Sequence, residues 1–390
     1  MRSKRLEQLP PYLFDEIDGL KESYIRSGRE VLDLGLGDPD LGAPGELVES
    51  LKKAVEVVRY HRYPPGRGLA RLVDAIRKWA EDSHGVRLAP DEVLVTIGSK
   101  EAIGHLPLAV VNPGDGVLVP DPGYPVYNAS AVFAGARSVR FPLKEKNTYF
   151  PDFGAFDRGD LRKARLLFLN YPNNPTAAMA GEDHFKEAIG FCRRHGLILA
   201  NDAAYIEIRY GKPAVPLFPA AKKAKAPFIE FFSFSKTFSI TGWRIGFAVG
   251  SPEVISALAQ VKANLDSGVF CAIQEALAEV MEGGMQRLTE RITAVYRERR
   301  DMLAGSLARS GLEFSPPEAT FYFWVKNPTH MNSIDFCRFL LEEMEIVATP
   351  GVGFGAQGEG YFRLSITTGD DTIREAGSRL ETLQSRLRKS

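Results

Sequence analysis

The sequence predicts an α/β fold, a mostly parallel sheet covered on both faces by helices, with a second, smaller α+β unit at its C-terminal end. Three observations lead there. From about residue 69 onward, stretches with helical apolar spacing alternate with short, largely apolar runs bounded by polar or turn residues. Those runs are apolar at most positions rather than on every second residue, as fits strands covered on both faces. The rhythm then changes after a charged helical stretch from Gln286 to Ser310.

In order, Leu69 to Ala80 has helical apolar spacing and Glu92 to Thr96 is a short extended run. Glu101 to Val111 reads as helix, Val117 to Pro120 as strand and Pro125 to Ala134 as helix. Arg165 to Leu169, Leu197 to Ala200, Ile229 to Phe232 and Ile245 to Val249 are further apolar runs bounded by polar or turn residues. The second unit is expected to hold a strand at Thr320 to Val325, a helix at Ser333 to Met344, a strand at Tyr361 to Ser365 and a last helix from Thr372. We divide the chain into an N-terminal segment, 1–45, packing with the small unit, a large domain, 46–285, and a small domain, 286–390.

Bulk composition narrows the function. With 44% hydrophobic and 25% charged residues in 390, the chain has material for a large core. Lys plus Arg equals Asp plus Glu at 49 each, so no net field draws it to nucleic acid or to a membrane. Cys192, Cys271 and Cys337 are far apart and form no CxxC pair, which fits a reducing cytoplasm. The six histidines form no HExxH, and no metal site is expected. No run reaches transmembrane length and none resembles a signal peptide. A cytoplasmic protein is expected.

Ligands of parallel sheets bind at the carboxyl ends of strands, and the unusual clusters of this chain follow its strands. Ser233 to Gly246 reads SFSKTFSITGWRIG. Lys236 stands there at the end of a buried strand, among Ser233, Ser235 and Thr237, with Arg244 eight residues on. A desolvated lysine is a nucleophilic amine that forms Schiff bases, and the hydroxyls and arginine beside it suit a phosphate. One cofactor carries both an aldehyde and a phosphate, pyridoxal 5'-phosphate. A solvated loop lysine is the plainer alternative.

Gly98-Ser99-Lys100 opens a helix, where free amides bind phosphate; a simple cap by Ser99 remains open. Asp202 ends a strand and suits a pyridinium nitrogen, with Tyr205 beside it for the ring oxygen; a turn cap is the competing reading. Tyr124 lies between two prolines in a stiff turn able to set its ring against an aromatic cofactor, or simply packs. Asn170 to Thr176 is dense in turn formers, with amides able to reach a ligand. Arg363 is a lone charge in an apolar strand and needs a partner, either a substrate carboxylate or an internal acid. Gly35-Leu36-Gly37-Asp38 lacks the third glycine of a dinucleotide loop.

Taken in order, these clusters resemble the class I pyridoxal-phosphate-dependent aminotransferases over nearly the whole chain. That resemblance implies a fold with a seven-stranded sheet and Lys236 carrying the cofactor as a Schiff base. It implies Ser99, Lys100, Ser233, Ser235 and Arg244 around the phosphate, and Tyr63 reaching in from the other subunit of a homodimer with shared sites. It further implies Tyr124 on the ring, Asp202 at its nitrogen, Asn174 and Tyr205 at its oxygen, and Arg363 on the substrate α-carboxylate.

Within the family, LPPYLFDEID, HRYPPGRGL, TIGSKEAIGHLPLA, VPDPGYPVYN, NYPNNPTAA, ANLDSGVF and GEGYFRLSIT resemble the LL-diaminopimelate aminotransferase branch. The likeness implies Tyr12, Gly37, Lys100, Tyr124, Asn174, Asn264 and Arg363 as substrate contacts. It implies LL-2,6-diaminopimelate and 2-oxoglutarate as substrates, a step toward lysine. Departures are Asn201 and Ile206, where His and Ser are expected, and Phe238 in place of Tyr. Aspartate, alanine or aromatic transamination and β-elimination use the same cofactor site and stay open. A ligand-binding regulator on this fold is not expected, since the nine residues before Pro10 leave no room for a DNA-binding module.

Overall fold

The structure is a computed structural model and describes residues 2–9, 19, 21–22, 24–26 and 28–388. A two-residue strand, β1 (Leu32–Asp33), precedes the main sheet. That sheet is built from β2 (Val93–Thr96), β3 (Gly116–Asp121), β4 (Arg137–Pro142), β5 (Ala164–Asn170), β6 (Ile198–Asp202), β7 (Phe228–Ser233) and β8 (Gly246–Gly250). Their spatial order is β2-β8-β7-β6-β5-β3-β4, and β8 alone runs antiparallel to its neighbours. The chain thus has the mostly parallel sheet that the sequence pattern predicts, with the seven strands that the family resemblance implies.

Both faces of the sheet are mostly dry, which is why its inner strands read as largely apolar runs, with Asn201 of β6 and Glu230 of β7 as buried polar interruptions. In β5, Leu166 and Phe168 join one buried cluster with Ala102, Ile103 and Leu106 of the helix Gly98–Val110 and Val254, Ile255 and Leu258 of the helix Pro252–Leu265. Leu167 and Leu169 point the other way, into the cluster holding Leu72, Ile76, Phe185, Ile189 and Phe218. Edge strand β4 is the exception. In Arg137–Pro142 only Phe141 is buried, and so few apolar residues left it without a signal in the sequence.

The C-terminal part holds β9 (Tyr322–Lys326), β10 (Ile346–Val347), β11 (Thr349–Pro350) and β12 (Tyr361–Ser365). β11, β12 and β9 form an antiparallel sheet, while β10 pairs in parallel with β1. The helix Ser333–Met344 packs on this sheet, and Cys271–Arg309 runs from the helices Gly45–Val55 and Ala70–His84 to the C-terminal helix Asp370–Glu381. That long helix is interrupted at Gly284, whose φ of 147° and ψ of 39° are not helical. Among the described residues, no helix is long and apolar enough to cross a membrane.

Topology decides where the ends meet. The parallel strands place Asp121, Asn170, Asp202 and Ser233 on one edge of the sheet. Because β8 runs backwards, its first residue Gly246 lies on that same edge, opposite both Thr96 and Ser233. The loop before β8, which carries Arg244, is thereby delivered between Ser99 and Lys236. A side chain at position 246 would not fit, since its Cβ would stand 2.5 Å from the Phe232 carbonyl oxygen and 3.0 Å from the Ser99 amide.

Candidate active site

Lys236 sits on the short helix Phe234–Thr237 that follows β7, anchored by buried Phe234 and Thr237. Its Nζ donates to the Gly37 carbonyl at 3.0 Å. Burial pushes the ammonium down to about 8; the Asp38 carboxylate works against this, while Arg244 and Arg363 add to it. Around the lysine, Gly98 starts the helix Gly98–Val110 with a φ of 70°, and Ser99 and Lys100 follow at its open amides. The Arg244 guanidinium lies against Gly98, where a Cβ would come 2.8 Å from its Nη2, and its Nη1 donates to the Thr241 carbonyl at 2.9 Å. Ser235 Oγ is buried without a hydrogen-bond partner among the described residues.

Asp202, at the end of β6, accepts from the Tyr127 hydroxyl at 2.9 Å and from the Ala204 amide at 3.2 Å. Burial outweighs both and pushes its carboxyl up to about 6. A cation opposite it would favour the ionised form. Its backbone is held too, because Asn170 Nδ2 donates to the Asp202 carbonyl at 2.7 Å. Asn201, the departure noted next to it, bridges Tyr171 N at 3.0 Å and the fully buried Glu230 at 2.8 Å, which ties β5 to β7 below the site. The Tyr205 hydroxyl pairs with that of Tyr322 at 2.8 Å, and burial pushes its phenol well above the ordinary tyrosine value.

Arg363 reaches the same cavity from β12 and is 1% exposed. Its guanidinium donates to Asn174 Oδ1 and the Gly35 carbonyl, both at 2.8 Å, and lies 4.1 Å from the Tyr322 ring centroid. The cavity has a volume of about 350 Å³ and is lined by Gly37, Ser99, Lys100, Tyr124, Asn174, Asp202, Tyr205, Ser233, Ser235, Lys236, Arg244 and Arg363. Lys100 stands over the Tyr124 ring, 5.9 Å from its centroid.

Two expected residues lie elsewhere on this protomer. Tyr63 is 88% exposed, and Asn264 is exposed with its amide donating to the Gln260 carbonyl at 2.8 Å. Tyr12 falls outside the described residues. Conversely, Tyr127 and Tyr322 line the cavity without having been singled out, while Asp38 and Asn170 line it from segments 35–38 and 170–176, where neither was given a role of its own. Tyr127 had a signal, the second tyrosine three residues after Tyr124 in one helical turn. Tyr322 had a weaker one, a polar-tipped ring alternating with Phe321 and Phe323.

The comparison with known proteins decides the family. The model for class I and II aminotransferases matches residues 29–380. The chain belongs to that family. Aminotransferases of this family use pyridoxal 5'-phosphate, and the residues here fit it. The site offers an unpartnered buried hydroxyl at Ser235, a glycine cradle at Gly98 beside Arg244, a buried acid at Asp202 and an amine held near neutrality at Lys236.

A relative from Syntrophobacter fumaroxidans, called LL-diaminopimelate aminotransferase, is 44% identical over 384 residues, covering 98% of this chain and 99% of its own. One of the same name from Aquifex aeolicus is 43% identical over 383 residues, covering 98% and 99%. Among solved structures, substrate-bound BacF from Bacillus subtilis superposes with a TM-score of 0.92 at 33% identity, covering 98% of each chain. A mutant aspartate aminotransferase from Thermus thermophilus has a TM-score of 0.91 at 27% identity, covering 98% of this chain and all of the other. The enzyme is therefore an aminotransferase that acts on amino and keto acids.

Proposed function

We propose that the enzyme is an LL-diaminopimelate aminotransferase, interconverting LL-2,6-diaminopimelate plus 2-oxoglutarate with tetrahydrodipicolinate, L-glutamate and water in lysine biosynthesis. The observation that carries this reading is identity of 41–44% over nearly the whole chain to relatives of that name from several organisms. At the low identity of the aspartate aminotransferase, the likeness extends to the fold and common site rather than the substrate.

Pyridoxal 5'-phosphate, when bound, supplies an aldehyde for an amine and a cationic ring that draws electrons from the substrate Cα. Ser99, Lys100, Ser233, Ser235 and Arg244 would hold its phosphate. Tyr124 would pack against the ring, Asp202 would face its nitrogen, and Asn174 and Tyr205 its ring oxygen. Asp202 acts as a fixed anion, oriented by Tyr127 and the Ala204 amide, and a cation opposite it brings its pKa down from about 6. Lys236 Nζ, brought down to about 8, is partly neutral at physiological pH; it would take the substrate Cα proton as general base and, once protonated, act as the general acid of the next step. Arg363 orients the substrate by its α-carboxylate, with Gly37 and Asn174 beside it.

A homodimer completes the site on this reading, with Tyr63 and Asn264 entering the neighbour's cavity. What supports it is an exposed apolar face near them. Val58 is 78% and Leu265 59% exposed, Phe270 packs its ring near His61, and Gly268 abuts Pro64. The proposed division at 285/286 falls beside the break at Gly284, and the pairing of β1 with β10 supports placing residues 1–45 with the small domain. A cytoplasmic location is part of this reading, and the free cysteines Cys192, Cys271 and Cys337 support it.

The test is a panel of amino donors offered with 2-oxoglutarate, following glutamate. LL-diaminopimelate should be the preferred donor. Brisk turnover of aspartate or alanine with none of LL-diaminopimelate would overturn the assignment.

A further inference from the structure

Tyr322 has no part in the roles above, yet it touches three of the groups that carry them. Strands β9 and β12 pair with Tyr322 opposite Ser365 and Trp324 opposite Arg363. In an antiparallel pair these four residues project from one face, and Tyr322 is the diagonal neighbour of Arg363. Its ring accordingly lies under the guanidinium, 4.1 Å from centroid to Cζ, and its hydroxyl meets that of Tyr205 at 2.8 Å. Gly37, whose carbonyl accepts from Lys236, is pressed against the same ring. A Cβ at position 37 would stand 2.0 Å from the Tyr322 hydroxyl oxygen. Tyr322 is itself 2% exposed, so these contacts leave it little freedom.

We infer that Tyr322 is a positioning residue that turns the Tyr205 hydroxyl proton toward the cavity and holds the Arg363 guanidinium plane for a carboxylate. A phenol has one proton to give. When Tyr322 donates to Tyr205, the Tyr205 proton is left for a ligand, and a hydroxyl that accepts one bond donates the next more strongly. The ring face attracts the guanidinium and keeps its N–H edges in the cavity plane, where they already meet Asn174 and Gly35. The inference rests on the aminotransferase reading of the site but not on the identity of its amino donor.

Two variants separate the hydroxyl from the ring. Tyr322→Phe keeps the ring; Tyr322→Leu removes both. In the holoenzyme, the pH midpoint of the visible cofactor absorption should rise by roughly half a pH unit in Tyr322→Phe, because Tyr205 becomes a weaker donor. The KM for 2-oxoglutarate should stay within about twofold there and rise about tenfold in Tyr322→Leu. In a Tyr205→Phe background, Tyr322→Phe should move the midpoint no further.

An unmoved midpoint in Tyr322→Phe, or the same shift with Tyr205 absent, would overturn the inference while leaving the site reading intact. Wild-type protein that takes up no cofactor would overturn both.

Discussion

Cofactor loading should follow a pH curve that burial of Lys236 dictates. An ordinary lysine amine titrates near 10.5, whereas this one is brought down to about 8. At pH 7 about one amine in ten is then neutral, against about one in 3,000 for an unburied lysine, a gain of roughly 300-fold in nucleophile. Cofactor-free protein mixed with excess pyridoxal 5'-phosphate should therefore load about tenfold faster for each pH unit up to about 8 and level off above it. The rise of visible absorbance after rapid mixing measures this. Asp38 is exposed and opposes the shift, so Asp38→Asn should move the midpoint down by roughly a few tenths of a pH unit. Loading that still climbs steeply above about pH 9, or an upward move in Asp38→Asn, would refute burial as the cause.

Other consequences follow from the same geometry. Asp202→Asn should cut turnover by about 100-fold or more, since a buried cation loses its partner. In cofactor-free protein the sign reverses. The stability owed to the protonated Asp202 carboxyl is present below its unfolded pKa of about 3.8 and is lost as pH rises through about 6. Cofactor-free Asp202→Asn should thus gain on wild type between about pH 4 and pH 7, by an amount on the order of 2 kcal/mol in denaturant titrations. Arg363→Lys should raise KM for the keto acid by about tenfold or more with a smaller change in kcat, because the bidentate fork is lost. Mixing inactive Lys236→Ala with Tyr63→Phe subunits should restore activity in hybrids if sites are shared, and no recovery despite subunit exchange would argue against the dimer.

Much of this was legible in the sequence because the site lies where strands end. A strand buried on both faces announces itself as an apolar run, so the positions just after it are located too: Ser99, Asp202, Ser233 and Lys236 all follow from that logic. Arg363 was legible because a charge in such a run needs an explanation. Features that depend on long-range pairing were not. Strand β4 has one buried residue, and β1, β10 and β11 are two residues long, too short for any periodicity. Tyr127 and Tyr322 read as core aromatics, because a phenol that packs and one that also hydrogen-bonds a site residue look alike until its partner, 75 or 117 residues away, is known. Tyr63 and Asn264 lie on the surface of one protomer, where a single chain's sequence pattern carries no sign of what they would touch.

The most direct test of the account is chemical trapping of the tether. Holoenzyme reduced with borohydride, digested and mapped by mass spectrometry should carry the pyridoxyl group on the peptide containing Lys236, with the visible absorption lost on reduction and absent from Lys236→Ala. A label on another lysine, or turnover retained in Lys236→Ala, would contradict it.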